Sequence, residues 1–228
     1  MVMVLEKVVP FGRSLDEYVK MFNLTVTDLA GNILGVGDGP ASFNAEGTNL
    51  GYKITSIDPI YTFTGQEIES RFYAVVDDII DQIKVTANDW VWSYHHSPEE
   101  LRANRVQVLN TFLQDYKVGQ NAGRYLCGEL PILPFSDDQF SLALCSHFLF
   151  LYSDHFDEEF HLNSVKEMLR VASEVRVFPL LTLMFQRSQH LNKIIHSVSN
   201  LGCSASIQKV PYELQPGGNE MLVIRRAF

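Results

Sequence analysis

A short apolar run at 32–36 leads directly into Gly35-Val36-Gly37-Asp38-Gly39-Pro40, and this junction of strand and glycine-rich turn constrains the chain more than any other feature. Glycines in such a turn adopt positive φ and let the backbone approach a ligand closely. Residues 41–50 then read as a short helix that Gly51 can close as a left-handed cap, and 53–58 as a second strand stopped by Pro59. Strand, glycine turn, helix and strand in fewer than about 30 residues form a βαβ unit, which commits the chain to a parallel sheet flanked by helices.

The rest of the chain repeats the alternation. Ser14-Leu15-Asp16-Glu17 is an S-x-x-E capping box opening an N-terminal amphipathic helix with Leu15, Tyr18, Val19 and Phe22 on one face. Residues 66–85 carry a helical period (Ile68, Phe72, Val75, Val76, Ile79, Ile80, Ile83), and Ser97-Pro98-Glu99-Glu100 starts another helix reaching about Tyr116. Strands follow at 125–127, 140–145 and 175–180, with helices at 158–171 and 188–201. Segments 203–210 and 221–226 flank Gln215-Pro216-Gly217-Gly218-Asn219, a composition suited to an antiparallel hairpin. The expected fold is α/β: seven strands, mostly parallel, with an antiparallel C-terminal hairpin. Residues 1–228 read as one domain, in which 60–122 form a helical insertion between the second and third strands.

With 46% hydrophobic residues and a net charge of −9, the chain has the composition of an ordinary globular protein. The acidic balance argues against nucleic acid as a partner, since phosphate neutralisation needs clustered Lys and Arg. The longest apolar stretch, 177–185, contains Pro179 and falls short of the roughly 20 residues a membrane span requires, so no membrane partner is expected. Met1 to Lys7 meet a charge pair too early for a secretory leader, which predicts a cytoplasmic protein. Cys127, Cys145 and Cys203 have no pairing or CxxC spacing and read as buried thiols.

In an open parallel sheet a ligand lies beyond the carboxyl ends of the strands, beside the first one. A dinucleotide turn needs a third glycine where Pro40 stands, which disfavours a nicotinamide oxidoreductase, and no G-x-x-x-x-G-K-[ST] loop is present. What remains is G-x-G-x-G followed by a helix, with Asp58 at the end of the next strand, 19 residues past Gly39. A carboxylate there can accept both hydroxyls of a ribose, and without a pyrophosphate site the natural ligand is a nucleoside carrying an amino-acid tail.

At these residues the sequence resembles the class I S-adenosylmethionine-dependent methyltransferases, whose Rossmann-like sheet matches the expected one. Residues 128–141, Gly-Glu-Leu-Pro-Ile-Leu-Pro-Phe-Ser-Asp-Asp-Gln-Phe-Ser, are similar to the family's G-D-A-x-x-L-P-F-x-D-x-x-F-D stretch in the same register, and the helix ending in Arg170-Val171 is similar to its R-V helix. The resemblance covers about 30–60 and 123–228. It implies S-adenosyl-L-methionine as cofactor, with Gly35, Gly37, Asp38, Gly39, Asp58 and Pro59 around its ribose and methionine parts. It also implies Glu129 at the adenine amino group, the Leu130 amide facing the ring, and Ser146 near the methyl. The family's acid two residues before the first glycine is replaced by Ile33, leaving the methionine amine to Asp38 or the N-terminal segment.

His147, beside Ser146 at the end of the fourth strand, is the candidate catalytic group, because an imidazole near neutrality can take a proton from an acceptor. Its alternative is loop packing. Phe11-Gly12-Arg13 offers a flap over the cofactor whose Arg13 pairs the cofactor's carboxylate, the alternative being a surface arginine. The acid-rich helix start at 155–161 is accounted for by the helix dipole without a metal. Trp90-Val91-Trp92-Ser93-Tyr94-His95-His96 either builds an acceptor pocket or packs the insertion onto the sheet. The expected activity is methyl transfer to a small molecule, with a non-catalytic S-adenosylmethionine or nucleoside binder as the alternative. The acidic excess falls within 60–174, which favours a cationic or neutral acceptor over an anionic one.

Overall fold

The computed structural model describes residues 9–226; the leader reading of Met1 to Lys7 lies outside them. The elements in chain order are α1 (Leu15–Phe22), α2 (Val26–Leu29), β1 (Asn32–Val36), α3 (Phe43–Asn49), β2 (Lys53–Ile57), α4 (Gly65–Tyr73), α5 (Val76–Val85), α6 (Pro98–Asn121), β3 (Tyr125–Leu126), β4 (Phe140–Ser146), α7 (Glu158–Val171), β5 (Ala172–Phe178), α8 (Leu191–Asn200), β6 (Cys203–Lys209) and β7 (Glu220–Arg226). They build one seven-stranded sheet in the order β3-β2-β1-β4-β5-β7-β6. The first five strands run parallel, and β7 is antiparallel to both β5 and β6. The expected α/β architecture with its C-terminal hairpin is therefore present.

Side chains alternate across the sheet as a period of two requires. On one face Leu34, Ala143, Cys145, Leu222 and Ile224 pack with Val165, Met168 and Ile194 from α7 and α8. On the other, Ile33, Leu142, Leu144 and Val223 pack with Tyr18, Met21, Phe22 and Phe43 from α1 and α3. A third cluster joins α4, α5 and α6 through Ile68, Phe72, Ile80, Leu109, Phe112 and Tyr116, and meets the sheet edge at Tyr61 and Tyr125.

Several bounds differ from the sequence reading. The helix expected over 66–85 is two helices, α4 and α5, because Val75 has a non-helical φ of −128° and its side chain supplies no cap. Its apolar period runs through the break, so nothing in the pattern marks it. Helix α6 continues to Asn121, passing Gly119, where a Cβ would stand 2.3 Å from the Tyr125 ring. Strand β5 begins at Ala172, directly after α7, and α2, opened by a Thr25–Asp28 capping box, was not anticipated. No described helix is long and apolar enough to cross a membrane.

Candidate functional site

The strand order reverses between β1 and β4, and beyond their carboxyl ends lies a cavity of ≈ 940 Å³. Of the residues singled out in the sequence, Gly37, Asp38, Gly39, Asp58, Pro59, Glu129, Leu130, Ser146, His147 and Arg13 line it. Gly35 does not. A Cβ there would sit 1.9 Å from the Asp38 carboxylate, so this glycine makes room for a buried acid rather than for a ligand.

The glycine turn is held from β2. The Gly37 amide donates to Ile57 O at 2.9 Å, and the Gly39 amide donates to Asp58 Oδ2 at 2.8 Å. Gly37 and Gly39 have φ of +67° and +57°, and a Cβ on Gly39 would meet nothing within 4 Å, so glycine is required there by backbone conformation. The other oxygen of Asp58 accepts from the Ile60 amide at 2.8 Å, capping a single 3-10 turn. Asp58 is thus a helix cap as well as a cavity residue. A carboxylate has about four acceptor sites, and two remain for a ligand.

Asp38 sits behind the turn, where its oxygens accept from Tyr18 OH at 2.6 Å and Ser56 Oγ at 2.7 Å. Burial raises its pKa to about 7 against those two hydrogen bonds, and the Asp58 charge adds to the rise. Burial likewise raises Asp58 to about 6 despite its two amide donors, with Glu129 contributing. Glu129 is exposed at the cavity edge and makes no side-chain hydrogen bond among the described residues.

His147 closes the β4 end. It holds a left-handed φ of +52°, fixed by its amide donating to Phe178 O at 2.7 Å, and its Nδ1 lies 2.9 Å from Ser146 Oγ. Burial, together with Arg13 and Arg105, pushes its pKa well below the ordinary imidazole range, so it is neutral at pH 7. Its Nε2 has no hydrogen-bond partner among the described residues.

The N-terminal segment crosses above the turn. Gly12 rests against Pro40, where a Cβ would lie 2.1 Å from the Pro40 carbonyl oxygen, and Phe43 donates its amide to Arg13 O at 3.3 Å. Arg13 Nη1 donates to Phe11 O and Gly12 O at 2.6 and 3.2 Å, leaving Nε buried without a hydrogen bond. Beneath it Glu17, fully buried, pairs with Arg105 of α6, which also donates to Gly12 O at 2.6 Å. His95 and Tyr212 complete this network at 3.3 Å from Glu17 Oε1.

A second chamber of ≈ 100 Å³ adjoins the cavity past His147 and shares Phe11, Arg13 and Ile79 with it. Trp90 lines this chamber and donates from Nε1 to Thr86 Oγ1, whereas Trp92 donates to Ala87 O at 2.7 Å and packs within the insertion cluster. Both tryptophans pack against the insertion cluster, and of the two only Trp90 also lines this chamber. His161 is buried between Asp157 O and Leu149 O on the far side of the sheet's α7 layer.

The sequence gives no sign of a site role for Ser56, Arg105 or Tyr212, and shows Tyr18 and Glu17 only as parts of the first helix, Tyr18 on its apolar face and Glu17 as the acid of its capping box. The box exists, and the same carboxylate is the buried partner of Arg105.

The sheet order, the hairpin and the placement of the cavity together define the fold of the class I S-adenosylmethionine-dependent methyltransferases. Magnesium protoporphyrin IX methyltransferase (ChlM) from Synechocystis PCC 6803, crystallised with SAH, superposes with a TM-score of 0.50 at 11% identity, covering 93% of this chain and 82% of that one. Mitomycin 7-O-methyltransferase MmcR superposes with a TM-score of 0.50 at 12% identity over 93% of this chain, which spans 54% of its length. No protein-family model matches the chain. The chain belongs to the same family as the uncharacterized protein MJ0045 of Methanocaldococcus jannaschii, with 37% identity over 223 residues, 97% of this chain and 98% of that protein.

Proposed function

We propose that this chain is an enzyme that binds S-adenosyl-L-methionine and transfers its methyl group to a small molecule. The observation that carries the reading is the meeting, in one cavity, of the Gly37–Gly39 turn, Asp58 tied to that turn, the Glu129-Leu130 loop and the Ser146-His147 strand end. The residues fit such a cofactor. Asp58 offers its remaining acceptor sites to ribose hydroxyls, Glu129 brings an unpaired carboxylate to the adenine amino group, and Gly39 leaves open space beside the turn.

The cofactor supplies an activated sulfonium methyl, so the protein's part is to position, shield and manage a proton. The flap Phe11–Arg13 and the insertion side chains Phe63 and Ile79 exclude water over the turn. Neutral His147 is able to accept a proton at Nε2 from an acceptor that loses one. Its left-handed backbone, a conformation His adopts more readily than most side chains, sets the ring at the strand end where it lines the cavity. Supporting a small acceptor is the small chamber of ≈ 100 Å³ past His147.

Calorimetry with S-adenosylmethionine, S-adenosylhomocysteine and NAD tests the cofactor. Heat with the first two and none with NAD is expected; no heat with either sulfur compound overturns the reading. Transfer from labelled methyl donor to a metabolite panel then tests the activity.

A further inference from the structure

The two connected cavities differ in the charge of their walls. The larger one carries Asp38, Asp58, Asp78 and Glu129 against Arg13 and Arg71. Among the described residues the chamber past His147 has no carboxylate in its lining, and the charged groups there are Arg13 and Arg105. The remainder is apolar or aromatic, including Ile83, Trp90, Leu101, Phe178 and Leu214.

Those two guanidinium groups are not equivalent. Arg105 is satisfied, with both terminal nitrogens engaged by Glu17, Gly12 O and His95. Arg13 is not. Its Nη1 is taken by two carbonyls, its Nε stands 4.0 Å from Glu17, and Nη2 has no partner among the described residues. Two cations thus share one buried carboxylate, since burial, countered by the nearby arginines, leaves Glu17 ionised and His95 is held neutral chiefly by burial. Arg13, partly exposed to the cavity, therefore has charge that Glu17 meets only at 4.0 Å, and an anion in the chamber can pair with it.

We propose that the chamber past His147 is the acceptor subsite and that it selects a small, largely apolar acid bearing a methyl-accepting hydroxyl, whose carboxylate pairs with Arg13 while its hydrocarbon part fills the chamber. The methyl passes from the sulfonium to the hydroxyl oxygen as the hydroxyl proton passes to His147 Nε2, and S-adenosylhomocysteine leaves. An apolar cavity of about 150 Å³ takes a benzene ring, so ≈ 100 Å³ takes a branched alkyl group or much of one ring. The inference rests on the methyltransferase reading for the name acceptor, but the anion selectivity stands on the cavity walls alone. It reverses the preference for a cationic or neutral acceptor drawn from the charge distribution. The acids of 60–174 that produced that preference, Asp77, Asp81, Asp89, Glu99 and Glu158 among them, are exposed and do not line the chamber. The carboxylate that meets Arg13 has two possible sources, the acceptor and the methionine tail of the cofactor. Arg13 lines the chamber as well as the larger cavity, and no described residue of the chamber lining offers it a carboxylate, which favours the acceptor.

The test titrates S-adenosylhomocysteine into wild-type protein and Arg13→Gln. The loaded proteins are then titrated with benzoate, phenylacetate and 3-methylbutanoate, with the matching amides, and with benzylamine. At least one acid is expected to bind ten-fold or more tighter than its own amide, with benzylamine weaker still. That preference should vanish in Arg13→Gln while affinity for S-adenosylhomocysteine changes less than three-fold. The proposal is overturned if none of the acids binds, if amides or the amine bind as well, or if Arg13→Gln weakens S-adenosylhomocysteine as much as the acid. Should Arg13→Gln fail to fold, Arg13→Lys, which keeps the charge, must retain the acid preference at reduced affinity. Absence of heat with S-adenosylhomocysteine refutes the cofactor reading instead, and the acid–amide contrast is then read on the ligand-free protein.

Discussion

Asp58 holds the amide of Gly39 at 2.8 Å, so the end of β2 sets the conformation of the turn that leaves β1. The same carboxylate caps Ile60, and burial keeps its pKa near 6. If its ionised form receives the ribose hydroxyls, affinity for S-adenosylmethionine falls as pH is lowered through about 6. Asp58→Asn keeps only one of the two oxygens that accept from Gly39 and Ile60, so it is expected to cost ~1–3 kcal/mol of stability, and to bind the cofactor at least ten-fold more weakly and without that pH dependence. Calorimetric Kd values between pH 5 and 8 decide; unchanged affinity in Asp58→Asn refutes the ribose role.

Asp38 gives a prediction about stability. Its folded pKa of about 7 lies above the ordinary 3.8, so the folded state holds a proton that the unfolded state has released. Its favourable contribution is complete below the ordinary value and is lost as pH rises through about 7. Compared with Asp38→Asn, wild type should lose stability from pH 5 to pH 7 at no more than ~1.4 kcal/mol per pH unit, then level off. Urea unfolding of both proteins at pH 5, 6, 7 and 8 measures the difference, and a flat difference contradicts the raised pKa.

What could be read from the sequence is what is local. Strand β1 and helix α7 have the bounds that periodicity and glycine placement indicate, because both are set by neighbours a few residues away. The cavity residues from Gly37 to Asp58 belong to one βαβ unit and were legible for the same reason. The Glu17–Arg105 pair was not: its partners are 88 residues apart, on helices whose patterns announce only an apolar face. Arg105 lies within a polar stretch of α6 that reads as solvent-exposed, and only the packing of the insertion against α1 buries it. Chamber electrostatics depend on that burial, which brings Arg105 into the chamber lining and which net charge does not report.

The Glu17–Arg105 pair is fully buried; removing Glu17 leaves Arg105 without its carboxylate, and removing Arg105 leaves Glu17 with only Arg13, 4.0 Å away. Glu17→Ala and Arg105→Ala are each expected to cost ~3–5 kcal/mol, while Glu17→Leu combined with Arg105→Met should cost much less than the sum. Arg105 also positions Gly12 through a 2.6 Å hydrogen bond, so the double variant should lose cofactor affinity even where stability recovers. A double-mutant cycle by chemical denaturation, with calorimetry on each variant, checks both parts. Additive losses would contradict direct pairing.

His147 provides the sharpest separation between binding and chemistry. Its amide is locked to Phe178 O, and its φ of +52° suits Asn nearly as well as His. His147→Asn should therefore fold with wild-type stability within ~1 kcal/mol, whereas a β-branched residue there should cost ~1–3 kcal/mol for the left-handed backbone. Cofactor affinity in His147→Asn is expected to be unchanged. If Nε2 accepts the acceptor's proton, single-turnover methyl transfer falls by ~10²–10⁴-fold, and the wild-type rate shows no acid limb near the ordinary imidazole value, since the ring is already neutral there. Nitrogen-detected NMR of the labelled imidazole gives the protonation state directly. An imidazolium at pH 7, or a variant that transfers methyl at the wild-type rate, would return His147 to a packing role.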